Sequence, residues 1–465
     1  MSGHAVVVGG SVAGLLAAAA LSQSVDVTVL ERDELPEGPL PRKGIPQSRH
    51  AHILLPSGRA AIEELLPAAH LRKRLLAAGA REESLTAMLG LGPRGWFRRW
   101  QPITDELLLT CCSRDLLDSA LREAVLGTPR ITLRRAQAVA LLGTSQRVTG
   151  VRVSEDGEEE DVSADLVVDA SGRGSRIEHW LSELGVGPIP ADEVDSGLVY
   201  ASRVFRIPEG AETFPLTQVG ADPVGSQPAR SGNLVPIEDG QWLVSLGGTR
   251  GGEPTDKPAE FTRFAHDLRH PLIGQLISAA EPISGVSLSR STRNRRRDFH
   301  KAAMPEGVVV LGDAAATYNP VYGQGMSVAA LSAQALQRQA QQTGITAPGF
   351  ARRVQQAAAK WVTAAYTLST SQDQWVPGVV GKTPTRLDRV LSRYMSRMAL
   401  VATTSYRVSA AMCAVTTLQA DASRLVHPRL LLATANGPVL PPLEGPQLTQ
   451  AERDFLSSAE PAASS

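Results

Sequence analysis

Cysteine is scarce: three residues in 465, Cys111, Cys112 and Cys413, two of them adjacent. An odd count with a neighbouring pair builds no disulfide framework and no metal spacing, which fits a reducing compartment. An excess of either charge is absent too. Lys+Arg and Asp+Glu both number 47, which removes the general electrostatic case for nucleic acid or an anionic membrane as partner. No apolar run approaches the roughly 18 to 20 residues that span a bilayer. The first motif begins at residue 4, leaving no room for a signal peptide. Together these absences predict a soluble cytoplasmic protein, and the length suggests two or three domains.

What is present is concentrated first in residues 4 to 33. His4 to Val8 reads as a buried parallel strand. Gly9-Gly10-Ser11-Val12-Ala13-Gly14 follows at once and opens the apolar helical run Leu15 to Leu21. A second strand, Val25 to Leu30, ends on Glu31. Strand, glycine turn, helix, strand and acid form the dinucleotide fingerprint in its required context. Gly9, Ser11, Val12, Ala13 and Gly14 are the candidate phosphate-binding residues, because a helix N-terminus offers unpaired N–H groups and partial positive charge. Ser11 stands where the strict pattern has glycine, and its Cβ narrows the space for a pyrophosphate. Glu31, with Arg32 beside it, is placed for an unphosphorylated ribose, so FAD or NAD rather than NADP.

Arg42, Lys43, Arg49 and His50 form a basic loop that suits an anionic ligand or is simply solvated. His50 and His52 have no carboxylate or cysteine at ligand spacing, so no metal is assigned. Residues 57 to 79 read as one helix. Trp96, Phe97 and Trp100 line a pocket or form a hydrophobic cluster. Leu107 to Cys112 reads as a strand, with Ser113 as N-cap of the helix from Arg114. Further strands are expected at Thr132 to Leu142, Val148 to Ser154 and Ala164 to Val168, with Asp156-Gly157 as a hairpin turn. A second strand-to-turn run is Asp169 to Arg176. Residues 197 to 250 are β-rich, and Glu238-Asp239-Gly240 splits their second strand pair. Val308 to Asp313 returns to parallel-strand character, followed by a helix from about Ser327 to Gln341. The chain beyond 349 is mostly helical. The domain reading is 1–185 with 287–345, an insert at 186–286 with part of 80–105, a helical region at 346–445 and a flexible tail at 446–465.

Gly312-Asp313 followed by Pro320-x-x-Gly323-x-Gly325-Met326 resembles the flavin-contacting segment of FAD-dependent aromatic hydroxylase-type monooxygenases. Asp169-Ala170-Ser171-Gly172 resembles their DG segment with an added serine. Arg42 to His52, Asp169 to Arg176, Gly248 to Gly252 and Asn319 to Met326 look like the polyene epoxidases of polyether antibiotic biosynthesis. The resemblance spans residues 4 to 335. It implies an α/β fold with a Rossmann-like FAD-binding domain of the glutathione-reductase type, an inserted β-sheet substrate domain and a C-terminal helical region.

It also implies roles. Glu31 would hold the adenosine ribose, Arg114 the phosphate or ribityl portion, Val139 the adenine and Asp313 the ribityl chain. Pro320 and Gly323 to Met326 would meet the flavin pyrimidine edge, where a helix N-terminus stabilises the charge of reduced flavin near N1. FAD would be noncovalent, with NAD(P)H or a separate flavin reductase supplying electrons and O2 as oxidant. The implied chemistry passes through a flavin C4a-hydroperoxide to a substrate alkene in secondary metabolism. An isolated alkene has no proton to remove, whereas a phenol benefits from a base; Arg49, His50 and Tyr322 are the candidates. The expected substrate is an apolar polyene or polyketide bound between the FAD domain and the insert, with Arg293 and Arg295 to Arg297 at the surface. A ring hydroxylase, a flavoprotein reductase of isoprenoid double bonds and a non-enzymatic nucleotide-binding protein are the competing readings. A halogenase fits less well, since Trp100-Gln101-Pro102-Ile103 only grazes its signature.

Overall fold

The computed structural model of the chain describes residues 3–101, 104–221 and 227–459. Five strands form a parallel sheet: β1 (His4–Val8), β2 (Asp26–Glu31), β3 (Ile131–Arg135), β4 (Leu166–Asp169) and β5 (Val308–Val310), in the order β5-β4-β1-β2-β3. β-branched residues dominate because the sheet is covered on both faces. Alternation divides them between two cores. Ala5 and Val7 join one cluster, and Val6 and Val8 the other, with Val167, Val308 and Val310.

Helix α1 (Val12–Ser22) buries ten of its residues. Its alanines let it lie close against α3 (Gly325–Thr343), while α2 (Arg114–Leu126) packs on its other side. Helix α4 (Phe350–Asp373) adds Phe350, Val354 and Ala365 to the same core. Each fully buried leucine there, such as Leu15 or Leu336, contributes about 1.5–3 kcal/mol. An antiparallel meander of Gln137–Gly143, Val148–Glu155 and Glu158–Ser163 covers the other face.

The second large sheet has eight strands centred on Val199–Arg206, Gln241–Gly248 and Arg230–Ile237. It recruits Leu89–Gly92, which pairs in parallel with Thr217–Val219. Helices Pro258–His266 and Leu272–Ser278 bury one face, around Trp242 and Phe261. The other face meets the loop and strand of residues 51–55 and Leu109 and Cys111. Both acid-glycine turns form as read: Asp156 and Gly157 have φ of 50° and 94°, and Asp239 and Gly240 of 58° and 62°.

Three readings are corrected. Residues 57 to 79 are not one helix but Pro56–Leu65, a turn at Pro67–Ala69 and Leu71–Ala77; Pro67 has no N–H to continue the ladder. Thr132 to Leu142 is two strands in two sheets, divided at Ala136, whose N–H makes the last bond to Glu31 of β2. Residues 446–465 are not a free tail over their described part. Beyond α4 come α5 (Arg386–Ala402), the helix Tyr406–Thr416, α6 (Pro428–Asn436) and α7 (Gln450–Ala459), and α7 packs Phe455 edge-on against Phe214. Its Glu452 is fully buried and takes two hydrogen bonds from Arg99, at 2.9 and 2.8 Å. Residues 460–465 lie outside the described chain. Among the described residues no helix is long and apolar enough to cross a membrane, and no group of side chains could hold a metal.

Candidate flavin and oxygenation site

The turn after β1 is built for close approach. Gly9 has a φ of 104°, and a Cβ on Gly14 would fall 1.7 Å from the Gly9 carbonyl oxygen. No side chain caps α1 at Ser11, so its first N–H groups remain for a ligand. The Ser11 hydroxyl accepts from Arg114 Nη2 at 3.2 Å. Arg114 is buried, its Nε has no hydrogen-bond partner among the described residues, and burial depresses its pKa. A buried cation and an uncapped helix end side by side suit a pyrophosphate.

Glu31 lies where the fingerprint puts it, already engaged. Its carboxylate accepts from Gly10 N at 3.0 Å, Asp33 N at 3.1 Å and Arg42 Nη2 at 2.7 Å. Three of its about four lone-pair directions are used, so one is left for a ribose hydroxyl. Arg42 is buried and bridges Glu31 and Asp118, donating also to the Gly10 carbonyl. Its charge is spent inside the protein, so the four cations of the basic loop do not act together. Lys43, Arg49 and Arg32 are exposed, and Val139 is half-buried on its strand.

Asp313 follows β5. One carboxylate oxygen takes a hydrogen bond from Arg173 Nε at 3.1 Å, and the other stands 4.0 Å from where a Cβ on Gly325 would be. Asp313 therefore lies at the N-terminus of α3, which no side chain caps. The Asn319 side chain accepts from Val321 N and shapes the Pro320–Tyr322 turn, which ends on Gly323 at a φ of 64° with open space around it. Two uncapped helix ends, a buried arginine between them and a carboxylate at the second match the donor set an FAD requires, and Gly323, Gly172 and Gly174 all face open space.

Sequence reading missed what holds this loop. Asp373, the last residue of α4, is buried and accepts from Asn319 at 2.9 Å, Asn294 at 2.7 Å and the Tyr322 hydroxyl at 3.1 Å. Burial raises its pKa, and the same hydrogen bonds oppose that shift. Tyr322 is thereby a structural clamp; burial and the Asp373 carboxylate push its phenol well above the usual range. An aspartate at the end of an alanine-rich helix was the one available signal.

Of the three catalytic candidates, His50 alone is buried against the second sheet. Its Nδ1 is 2.8 Å from Ser202 Oγ, which is 2.5 Å from Ser245 Oγ, and its ring meets Tyr200 edge-on at 4.2 Å. Burial first, then the nearby Arg49 charge, lowers its pKa to about 4. His52 is lowered to about 3, chiefly by burial and then by Arg114, and its Nδ1–H donates to the His50 carbonyl. Ser202 and Ser245 were legible only as alternating positions of strands. Trp96 belongs to the core of the second sheet, and Trp100 meets Tyr406 at 6.2 Å, so neither reads as a pocket wall; Pro102 and Ile103 lie outside the described residues. Of the arginines expected at the surface, Arg293 is exposed, Arg295 and Arg296 are half-buried, and Arg297 is buried. Arg293, Arg295 and Arg297 line a cleft of about 280 Å³ with Arg173, Arg290 and two acids, Glu193 and Asp195.

A family model described as an FAD binding domain matches residues 3–343. Protein Rv3254 of Mycobacterium tuberculosis (strain ATCC 25618 / H37Rv) is 35% identical over 347 residues, 72% of each chain. Among solved structures, p-nitrophenol 4-monooxygenase PnpA of Pseudomonas putida DLL-E4 superposes with a TM-score of 0.60 at 18% identity, covering 95% of this chain and 99% of that one. The flavin-dependent halogenase CmlS superposes at 0.61 and 18% identity, covering 87% and 72%. With the fingerprint, the Asp313 segment and the fold all in agreement, the chain belongs to the FAD binding domain family.

Proposed function

We propose that this FAD-binding protein is a monooxygenase that inserts one oxygen atom into an alkene of an apolar polyene or polyketide, an epoxidation. Bound FAD supplies the oxygen-activating chemistry, with electrons from NAD(P)H or a separate flavin reductase. The first N–H groups of α1, at Ser11, Val12, Ala13 and Gly14, would hold the pyrophosphate with Arg114; Asp313 would hold the ribityl chain, and Gly323 to Met326 the pyrimidine edge.

The observation that carries the reading is the state of His50. It is buried against Ser202 and Tyr200 of the second sheet, and that burial lowers its pKa to about 4. A phenol titrates near 10, so passing its proton to His50 is uphill by about 8 kcal/mol. Such a group is a poor base for ring hydroxylation, yet it leaves an alkene unimpeded. The half-buried side chains Ala51, Ile53, Leu85, Met88 and Val204, packed against the cluster of Leu55, Leu109 and Leu243, offer apolar surface on which hydrocarbon would be buried at about 25 cal/mol per Å².

The runner-up, hydroxylation of an aromatic or polyketide ring, draws its support from the Ser202–Ser245 hydrogen-bond chain, along which a proton could leave. The test is to give pre-reduced holoprotein and O2 a linear polyene and, separately, a phenol. The proposal expects epoxide from the first and hydrogen peroxide without ring product from the second; exclusive ring hydroxylation reverses it.

A further inference from the structure

The chain balances its charges overall, yet they are unevenly distributed. Between residues 382 and 432 stand eight Lys or Arg against two acids, Asp388 and Asp421. The same region holds an unusual surface. Eight of the fourteen large hydrophobic side chains exposed among the described residues fall between 387 and 440. Scattered exposed leucines need no explanation, but a concentration marks an interaction site.

Helix α5 shows the pattern most clearly. Leu387, Val390 and Leu391 are 65%, 60% and 46% exposed and recur at i, i+3 and i+4. That stripe normally faces a core, but here the helix buries only its last turn, Met398 to Ala402. Arg386, Arg389 and Arg393 are exposed on the same first two turns. The Tyr394 hydroxyl donates to the Leu425 carbonyl at 2.5 Å and Arg397 donates to the carbonyls of Thr434 and Gly437, so α6 and the segment before it lie alongside. They add Val426, Leu431 and Leu432, each more than 40% exposed.

We infer that this face docks on the surface of an anionic phospholipid bilayer. Leucines and valines interleaved with arginines are the composition of a helix that lies in a membrane interface, its apolar side chains among the acyl chains and its cations at the headgroups. Arginine stems extend along apolar surface while the guanidinium stays at the polar boundary. A second copy of the chain is the poorer occupant, because a two-fold contact would set this surplus of cations against itself. The proposal is independent of which substrate is oxidised.

The test is flotation of the full-length, FAD-loaded protein with vesicles of phosphatidylcholine alone and of phosphatidylcholine mixed with phosphatidylglycerol. The expected result is binding to the mixed vesicles that falls as salt rises. Two sets of substitutions, Leu387→Ser with Val390→Ser and Leu391→Ser, and Arg386→Gln with Arg389→Gln and Arg393→Gln, should each weaken it about tenfold or more. Both sets change exposed side chains, so FAD content and thermal midpoint should match the parent protein. Equal binding by parent and both variants, binding indifferent to phosphatidylglycerol, or no binding together with a dimer that the serine variant dissolves would each overturn the inference.

Discussion

His50 has an ordinary imidazole's chemistry in an environment that refuses its charge. Its folded pKa of about 4 lies below the 6.5 of the unfolded chain. The unfolded state therefore takes up a proton first as pH falls, and stability is full above about 6.5 and declines from there towards 4. Between pH 7.5 and 5 the loss attributable to this residue is about 2 kcal/mol. His50→Gln should remove that part of the slope, read from urea midpoints at the two pH values; an unchanged slope would mean that His50 is not held neutral. Asp313 makes the complementary point at the cofactor. Asp313→Ala should weaken FAD by about 1–3 kcal/mol, measured by flavin release, while the thermal midpoint of the apoprotein stays within a few degrees. Binding equal to the parent's would reduce Asp313 to a partner of Arg173.

At the scale of elements, α4 is more than a cover for the nucleotide domain. Its final residue, Asp373, gathers Asn294, Asn319 and Tyr322, so the loop that presents Gly323 is held by a residue fifty positions downstream of that glycine. Asp373→Ala should cost about 3 kcal/mol of stability by stranding those buried donors and should loosen FAD as well, seen in denaturant unfolding and in flavin titration. A variant with normal FAD affinity would separate the clamp from the site. The fingerprint of β1, α1 and β2 and both acid-glycine turns were legible, because their signals are local: a continuous apolar run, a forced glycine, a φ above zero. Asp373 was not legible, because its partners are far off in sequence and no short pattern encodes a long-range hydrogen bond. The division at Ala136 escaped for a related reason, since both halves have strand composition and only their partners in two sheets differ.

At the scale of the molecule, the end of the chain is part of the fold. Glu452 of α7 is fully buried against Arg99, beside the strands that residues 89–96 lend to the second sheet. Arg99→Met would leave an uncompensated buried carboxylate and should destabilise the protein by about 3–5 kcal/mol, read as a lower thermal midpoint; a shift of a degree or less would show α7 to be dispensable. Neutral composition hid a second whole-molecule feature, the cationic apolar face of α5 and α6, because net charge carries no information about where the charges are. Among the arginines of residues 293–297, Arg293 is at the surface as expected, whereas Arg297 is buried and donates to Glu178 and the Ala314 carbonyl.

The central claim is that oxygen reaches the substrate without help from a protein base. The most direct measurement follows labelled dioxygen into product, from pre-reduced holoprotein and a linear polyene, for the parent and for His50→Gln at pH 7.5. The account predicts an epoxide bearing one labelled oxygen atom, formed by the two proteins at rates within about threefold, since general base catalysis contributes 10²–10⁴-fold where it operates. A loss of about a hundredfold in His50→Gln, with FAD still bound, would contradict it.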